Sequence, residues 1–392
     1  MNRYDRYKDS GIPWLGEVPV HWDVKRLKFL ARIQNGADYK HVETNDGYPV
    51  IGSGGQFAYA NSYLYDGESV LLGRKGTIDR PLYVIGKFWT VDTMYYTEIL
   101  KNTYPKYFYY LTLTIDFGRY STQTALPSMT QTALNNLVFA VPHYEEQTTI
   151  AHYLDTKLGE IDGLIDKQQT LLEKLAEQRT AVITHAVTKG LNPAAPMKNS
   201  GVEWLGDVPA HWDVKRLRFL CNIITGDMDT QDNEPNGQYP FYVRSEVVER
   251  SNEYSFDNEA VLMAGDGVGA GKVFHYVNGK YGCHQRVYSL SNFKQISGKF
   301  LYFYLKEFFK RKIEEGGAKS TVDSVRLPML KDFAVCLPND FEQIEIVSYI
   351  NEETAKIDRL CETVNQTIGR LKEYRTALIT QAVTGKIKVT DE

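Results

Sequence analysis

The 392-residue sequence is poor in cysteine and has no long apolar run. Its four cysteines never take a CxxC spacing, which argues against a disulfide framework or a zinc site and fits the reducing cytoplasm. No run of 18 apolar residues occurs and the first ten residues are polar, so we expect a cytoplasmic chain without signal peptide or membrane span. The net charge of only -4 argues against a simple basic nucleic-acid binder.

Patterns that carry catalysis are also missing. The eight histidines show no HxxxH or HExxH spacing, and there is no GxSxG elbow or Asn/Asp-Pro-Pro-Tyr/Phe tetrapeptide. The glycine-rich stretch 265–271 resembles a phosphate loop, but Asp266 stands where glycine is needed and Val273 replaces the magnesium-binding Ser/Thr. We predict a hairpin turn there, and no catalytic residue, metal or cofactor in this chain.

The sequence does contain an internal repeat. The stretch "WLGEVPVHWDVKRLKFL" (14–30) returns as "WLGDVPAHWDVKRLRFL" (204–220), and 16 of 21 positions are identical when both stretches are extended to the preceding serine. The stretch 141–162 likewise matches 337–358, and "RTAVIT" at 179–184 matches "RTALIT" at 375–380. Two copies with a period near 190 residues indicate a duplicated domain pair and not a solenoid.

Each copy predicts a globular domain followed by one long helix. Short apolar and β-branched runs joined by glycine-rich turns are typical of strands, and two aromatic-rich segments near 105–115 and 298–313 predict short helices. We therefore expect an α+β fold with a pseudo-two-fold repeat: domain 1 at 1–142, helix 1 at 143–190, linker at 191–203, domain 2 at 204–338 and helix 2 at 339–387. Gly190 and the prolines after it predict the end of the first helix.

Both long helices carry a narrow apolar stripe with alternating spacings of four and three. This period of 3.5 is typical of a coiled-coil seam. Polar residues interrupt it at Gln168, Thr354, Arg179 and Arg375, where they can set the register. Because domain 2 lies between the helices in the chain, we expect them to pair antiparallel. The seam consists of Leu154, Leu158, Ile161, Ile165, Leu172, Leu175 and Val182 in the first helix and Ile357, Val364, Ile368, Leu371 and Leu378 in the second.

The copies share their framework but differ in their loops. "GRKGTIDRP" at 73–81 corresponds to "AGDGVGAGK" at 264–272, and "TVDTMYY" at 90–96 to "CHQRVYS" at 283–289. Two domains of this kind can recognise two different ligands, whereas neutral divergence of surface loops after duplication explains the same pattern. The sequence alone leaves both interpretations open.

Taken together, these features resemble the specificity (S, or HsdS) subunit of type I restriction-modification systems. The resemblance rests on the doubled "VP[VA]HWDVKRL[KR]FL" openings, the "PxxxEQ" motifs at 142–147 and 338–343, and the "ID" and "RTA" helices that follow, and it covers essentially the whole chain. It implies two target recognition domains that each contact half of a bipartite, asymmetric DNA site. It also implies that the helices hold these domains apart and dock modification subunits.

The resemblance assigns the chemistry to partner subunits. It implies that S-adenosylmethionine binds the methyltransferase subunits, and that ATP and Mg²⁺ serve a restriction subunit where one is present. This chain is then a non-catalytic, DNA-binding member of the complex. The alternative from the sequence alone is a coiled-coil scaffold whose two sheet domains bind protein or glycan partners.

The residue types of the diverged loops suggest which side chains contact DNA. Arginine and lysine can bind guanine edges or phosphates, and glutamine an adenine edge. The basic clusters Lys25, Arg26, Lys28 and Lys215, Arg216, Arg218 are nearly identical, so we expect them to bind phosphates without discriminating bases. The candidate DNA-binding residues are Arg74, Lys75, Thr77, Asp79, Arg80, Ser121, Thr122 and Gln123 in domain 1, and Arg244, Asp266, Lys272, His284, Gln285, Arg286, Lys319, Ser320 and Thr321 in domain 2.

Overall fold

The computed structural model describes residues 3–121, 127–315 and 324–389. Its contacts divide the chain into two compact units: Met1–Gln168 with Gln366–Glu392 form unit 1, and Gln169–Asn365 form unit 2. Each unit contains one globular domain and about half of each long helix. This division differs from the domain bounds expected from the sequence, because both long helices contribute to both units.

The first copy is built from eleven described strands and four helices. Its strands are β1 (Tyr7–Asp9), β2 (Glu17–Pro19), β3 (Asp23–Arg26), β4 (Ala31–Asn35), β5 (Glu43–Thr44), β6 (Tyr48–Gly52), β7 (Gly55–Ala60), β8 (Tyr65–Gly73), β9 (Leu82–Thr90), β10 (Met94–Ile99) and β11 (Val138–Val141). Its helices are α1 (Pro105–Thr112), α2 (Phe117–Tyr120), α3 (Gln131–Asn135) and the long α4 (Tyr144–Lys189).

The second copy repeats most of this order. Its strands are β12 (Met197–Asn199), β13 (Asp207–Pro209), β14 (Asp213–Arg216), β15 (Asn222–Thr225), β16 (Tyr239–Tyr242), β17 (Glu249–Ser251), β18 (Phe256–Ala264), β19 (Phe274–Cys283), β20 (Val287–Ser291) and β21 (Ala334–Leu337). Its helices are α5 (Gly298–Glu315), α6 (Leu327–Lys331) and the long α7 (Asp340–Val383). Three-residue 3₁₀ helices occupy Leu27–Phe29, Leu217–Phe219 and Thr230–Asp232.

The two copies share one sheet topology. The main sheet of unit 1 has the order β4-β10-β8-β9-β6-β7-β5, and that of unit 2 has the order β15-β20-β18-β19-β16-β17. The β6–β9 and β16–β19 pairs are parallel, whereas the other described pairs of both sheets are antiparallel. Small antiparallel pairs recur as well: β1–β2 and β3–β11 correspond to β12–β13 and β14–β21. The predicted α+β fold with an internal repeat is confirmed.

The central strand β18 shows why a continuous apolar run forms a strand here. Val261 and Met263 join a core cluster that includes Phe300 of α5, whereas Leu262 joins a second cluster with Tyr281. Successive side chains point to opposite faces of a sheet, so a strand covered on both faces needs no polar alternation. Each fully buried aliphatic side chain of this kind contributes about 1.5–3 kcal/mol.

The long helices pair antiparallel within each unit. Helix α4 has 46 residues and α7 has 44. In unit 1, Asp162 of α4 accepts from Arg375 of α7 at 3.0 Å, and in unit 2 Arg179 of α4 pairs with Asp358 of α7. An early residue of each helix thus meets a late residue of the other, which confirms the antiparallel arrangement. The register contacts come from the "ID" and "RTA" motifs of opposite copies.

The predicted seam residues lie on the inner faces of these helices. Three of them, Leu172, Val182 and Leu371, are half-buried. The hydroxyl of Thr354 donates to Ile350 O of its own helix at 2.7 Å, and a register-setting role for this residue stays a prediction. The buried seam residues are Leu154, Leu158, Ile161, Ile165, Leu175, Ile357, Val364, Ile368 and Leu378.

The helix ends and the cysteines complete the fold. Helix α4 ends at Lys189, and Gly190 follows with a φ of 74°. This is the helix end that Gly190 predicted from the sequence. Near this end Ile183 and Val187 enter the core cluster of unit 2. The cysteines are free thiols. Of the helices formed by the described residues, none is both apolar enough and long enough to cross a bilayer.

Candidate nucleic-acid interface

A buried glutamine fixes the start of each long helix to its globular domain. Gln147 accepts from Tyr104 N at 2.8 Å and donates to Asn102 O and Pro142 O at 3.2 and 2.9 Å. Gln343 makes the same three kinds of contact with Ser297 N, Gln295 O and Pro338 O, at 2.7, 2.9 and 2.9 Å. Both side chains are 1 % exposed. The glutamine of the "EQ" motif is thus a structural connection.

The preceding glutamate connects the helix to the repeated opening segment. Glu146 accepts from the indole of Trp22 at 3.1 Å and contacts His21 Nε2 at 2.9 Å. Glu342 contacts His211 Nε2 at 2.8 Å, but within the described part of the chain Trp212 Nε1 has no hydrogen-bond partner. Each histidine therefore connects its opening segment to the first turn of the following long helix.

The diverged loops sit on matching backbone frames. In unit 1, Arg74 N donates to Thr93 O at 2.9 Å and Met129 N to Arg74 O at 3.0 Å. In unit 2, the corresponding Gly265 N donates to Arg286 O at 2.9 Å, and Val325 N to Gly265 O at 2.8 Å. The frame therefore places different side chains at the same sites.

The sharpest difference lies one residue further along. Lys75 forms a β-bridge with Ser128, and Asp266 forms the equivalent bridge with Ser324. A cation in one copy thus occupies the position of a carboxylate in the other. The side chains at this site therefore differ between the copies both in charge and in exposure, since Lys75 is exposed and Asp266 is half-buried.

In unit 1 the candidate side chains form an open, exposed loop between β8 and β9. Arg74 donates to Asp92 O at 3.3 Å and lies 5.9 Å from the ring centroid of Tyr95. Lys75, Thr77, Asp79 and Arg80 are exposed, and Ser121 at the end of α2 is half-buried. Guanidinium, ammonium and hydroxyl groups on such a loop can donate to base edges or phosphates.

In unit 2 three candidates form one ion cluster. Arg244 Nη1 lies 3.1 Å from Asp266 Oδ1, and Arg286 Nη1 lies 2.8 Å from Asp266 Oδ2. Burial opposes ionisation of Asp266, but the hydrogen bonds from Arg286 and Arg244 outweigh it and hold the pKa of the carboxyl below its usual range. The carboxylate is therefore charged at neutral pH and bound to both arginines.

His284 has a different environment from its exposed neighbours. It is 3 % exposed, accepts from Arg286 N at Nδ1 (3.0 Å), and its Nε2 lies 3.4 Å from Asp229 Oδ1. Gln285 Nε2 also donates to Asp229, at 3.1 Å. The ring of His284 is thus buried and supports the loop that carries Gln285 and Arg286, and a DNA contact by His284 itself stays a prediction.

Asp229 is the residue that sequence reasoning missed. It is separated from the His284 loop by more than 50 residues, so no local pattern pairs them. The local signal was its acidic segment 227–232, in which Asp229 caps a short 3₁₀ helix and forms a capping box with Asp232. Lys272, another candidate, is half-buried. Thr122, Gln123, Lys319, Ser320 and Thr321 lie outside the described residues.

The two basic clusters of the opening segments differ more than their sequences predict. Lys25 and Lys215 pair with Asp23 and Asp213, at 2.9 and 3.5 Å. In unit 2, Asp332 also pairs with Arg218, and its backbone oxygen accepts from Arg216 at 2.6 Å. The aligned residue of unit 1 is Asn136. Phosphate binding by the two clusters stays a prediction, and two of the cations in unit 2 have an additional acidic residue beside them.

The basic cluster of unit 1 borders a groove of about 720 Å³. Its wall also includes Asp23, Glu145 and the exposed Phe29, so its charge is mixed. No group of three or more His, Cys, Asp or Glu among the described residues is arranged to hold a metal. The glycine-rich stretch after β18 leads into strand β19 and not into a helix, which confirms the predicted turn.

Comparison with known proteins gives one consistent family. The model of the type I restriction modification DNA specificity domain matches residues 19–174 and 209–370. The chain is 32% identical over 182 residues to the type I restriction enzyme EcoDI specificity subunit of Escherichia coli, covering 46% of this chain and 40% of that one. It is 23% identical over 269 residues to the StySPI specificity subunit of Salmonella potsdam, covering 63% and 57%. These matches span about half the length of the two relatives.

Solved structures share the fold. A chain from a structural study of complex assembly and conformational transition of the type I R-M system superimposes with a TM-score of 0.74 at 15% identity, covering 94% of this chain and 99% of that one. The HsdS subunit from Thermoanaerobacter tengcongensis gives a TM-score of 0.54 at 15% identity, covering 94% and 98%. At this identity the likeness concerns the fold alone.

Proposed function

Since the chain belongs to the type I restriction-modification DNA specificity family, we propose that it selects the DNA sequence on which a type I complex acts. Each globular domain reads one half of a bipartite site. The observation that carries this proposal is the pair of matching frames with different loop side chains, above all the exposed Lys75 and the half-buried Asp266 at equivalent β-bridges. Because the two surfaces differ, the site they select is asymmetric.

The long helices act as the spacer in this proposal. From Leu154 to Ala186 the seam rises about 50 Å at about 1.5 Å per residue. That length corresponds to roughly one and a half turns of B-DNA at about 34 Å per turn. The helices would therefore set an uncontacted gap between the half-sites.

The chemistry lies with partner subunits. We propose that this chain docks methyltransferase subunits that bind S-adenosylmethionine and, through them, a restriction subunit that uses ATP and Mg²⁺ where one exists. The low net charge of this chain agrees with that division, since phosphate contacts dominate the affinity for DNA and a partner can supply them. The complex would work in the cytoplasm.

Methylome sequencing tests the proposal. A host that expresses this chain with its methyltransferase partner should acquire one new adenine-methylated motif made of two different half-sites and a fixed gap. A scaffold for protein or glycan partners predicts no new motif, and family membership does not favour it. A verified complex that methylates no defined motif would overturn the proposal.

A further inference from the structure

The glycine-rich loop after β18 is built around an arginine. Gly267 has a φ of 72°, a conformation that other residues adopt only with strain. A Cβ on Gly269 would lie 2.4 Å from the carbonyl oxygen of Arg244, so only glycine allows this close approach. The stretch that resembled a phosphate loop is thus a frame that fits against Arg244.

Two arginines are fixed by the carboxylate within this frame. Asp266 uses one oxygen for Arg244 and the other for Arg286, at 3.1 and 2.8 Å. The carboxylate is only 21% exposed, whereas the side chains of Arg244 and Arg286 are 42% and 58% exposed. Each guanidinium has five N–H donors, so both retain donors that face solvent.

The geometry points to a guanine-reading site: we propose that Asp266 positions Arg244 and Arg286 so that their free N–H groups bind guanine edges in the half-site of unit 2. This rests on the proposed function. Two parallel N–H donors of one arginine match the O6 and N7 acceptors of guanine in the major groove. Holding both side chains in place before binding lowers the entropy lost on contact.

Comparison with the first copy indicates that the arginines contact bases and not the DNA backbone. Sequence alignment places Ser53, Lys75 and Thr93 where the second copy has Arg244, Asp266 and Arg286. Phosphates are the same in both half-sites, so contacts to them carry no sequence information. A cluster present in one copy only is expected where the two half-sites differ.

A neighbouring residue adds an apolar contact. Val268, at the tip of the same loop, is 91% exposed. Apolar side chains in the major groove contact the methyl group of thymine. The loop that holds Asp266 between the two arginines therefore also carries an exposed apolar side chain, which suits contact with a thymine methyl group.

The test is selection from duplexes with both half-sites randomised, using the full chain in its methyltransferase complex. Arg244→Lys and Arg286→Lys keep the charge but lose the paired donors. Each should lower a guanine preference in one half-site by about 5- to 100-fold, with the salt dependence unchanged. Asp266→Asn should weaken both preferences, and the half-site of unit 1 should not change in any variant.

Controls separate the possible outcomes. Lys280→Gln removes an exposed cation of the same domain that lies over Tyr254, and it should leave every preference intact. Unchanged guanine preferences in the arginine variants, or equal weakening on all sequences, would overturn the guanine-reading site. Failure of the wild-type complex to select any motif would instead overturn the proposed function itself.

Discussion

The two copies of the repeat share the buried glutamine that joins each globular domain to its long helix, but they differ in the side chains of their loops. The glutamines that fix the long helices have the same three backbone partners in both copies. Lys75 and Asp266, on equivalent bridges, have opposite charges. Duplication thus kept the frame, because the frame satisfies buried polar groups, whereas the loop side chains diverged.

The largest effect should come from breaking the shared frame. Gln147→Leu leaves Tyr104 N–H and two carbonyl groups without their partner, which should cost about 2–4 kcal/mol of unfolding free energy. Gln343→Leu should cost a similar amount, since its partners are equivalent. Urea denaturation of both variants tests this. A cost below about 1 kcal/mol in either copy would contradict the structural role.

A smaller loss of unfolding free energy should distinguish the first copy from the second. Glu146→Ala removes the acceptor of the buried Trp22 indole, whereas the Trp212 indole already lacks a described partner. Leaving a buried donor unpaired costs about 1–3 kcal/mol, so Glu146→Ala should destabilise more than Glu342→Ala. The same denaturation experiment compares them. Equal losses of unfolding free energy in the two variants would show that Glu146 and Glu342 stabilise their copies equally.

The ion pairs between the helices should contribute least to stability. Asp162–Arg375 and Arg179–Asp358 are at least one-third exposed, and pairs of this kind are worth about 0–1 kcal/mol. Arg375→Gln should therefore resemble the control Arg370→Gln, an exposed arginine of the same helix, to within about 1 kcal/mol. A loss of several kcal/mol would mean that register depends on this pair.

The four cysteines should differ in how fast their thiols react. Burial raises the pKa of Cys221, Cys283 and Cys336 to about 12 in each case. Cys361 is half-buried on α7. Only thiolates react with iodoacetamide, so at pH 8 the folded chain should be labelled first at Cys361. Peptide mass spectrometry checks the order, and early labelling of a buried thiol would contradict this core.

Much of the fold could be predicted because each sequence motif and each helical spacing occurs twice. The heptad spacing placed the long helices at 143–190 and 339–387, close to the observed Tyr144–Lys189 and Asp340–Val383. Both antiparallel ion pairs come from motifs already visible in the sequence. The buried frame residues are the same in both copies, so comparing the two copies in the sequence identifies them.

The arrangement of the candidate site was harder to predict. Arg244, Asp266 and Arg286 are about 20 residues apart, and only the sheet brings them together. The enclosure of His284 by Asp229 and the pairing of Arg218 with Asp332 depend on similar distant contacts. Residue types alone indicated possible DNA contacts, but they did not separate side chains that face solvent from those that support them.

The most direct test of the account duplicates one domain. Replacing residues 204–338 by a second copy of 14–142 keeps both helices and gives two identical recognition surfaces. Methylome sequencing of a host carrying this chimera and the methyltransferase partner should find a symmetric motif, with the half-site of unit 1 present twice in inverted orientation. If the methylated motif stayed asymmetric or kept the half-site of unit 2, the claim that each copy reads its own half-site would be wrong.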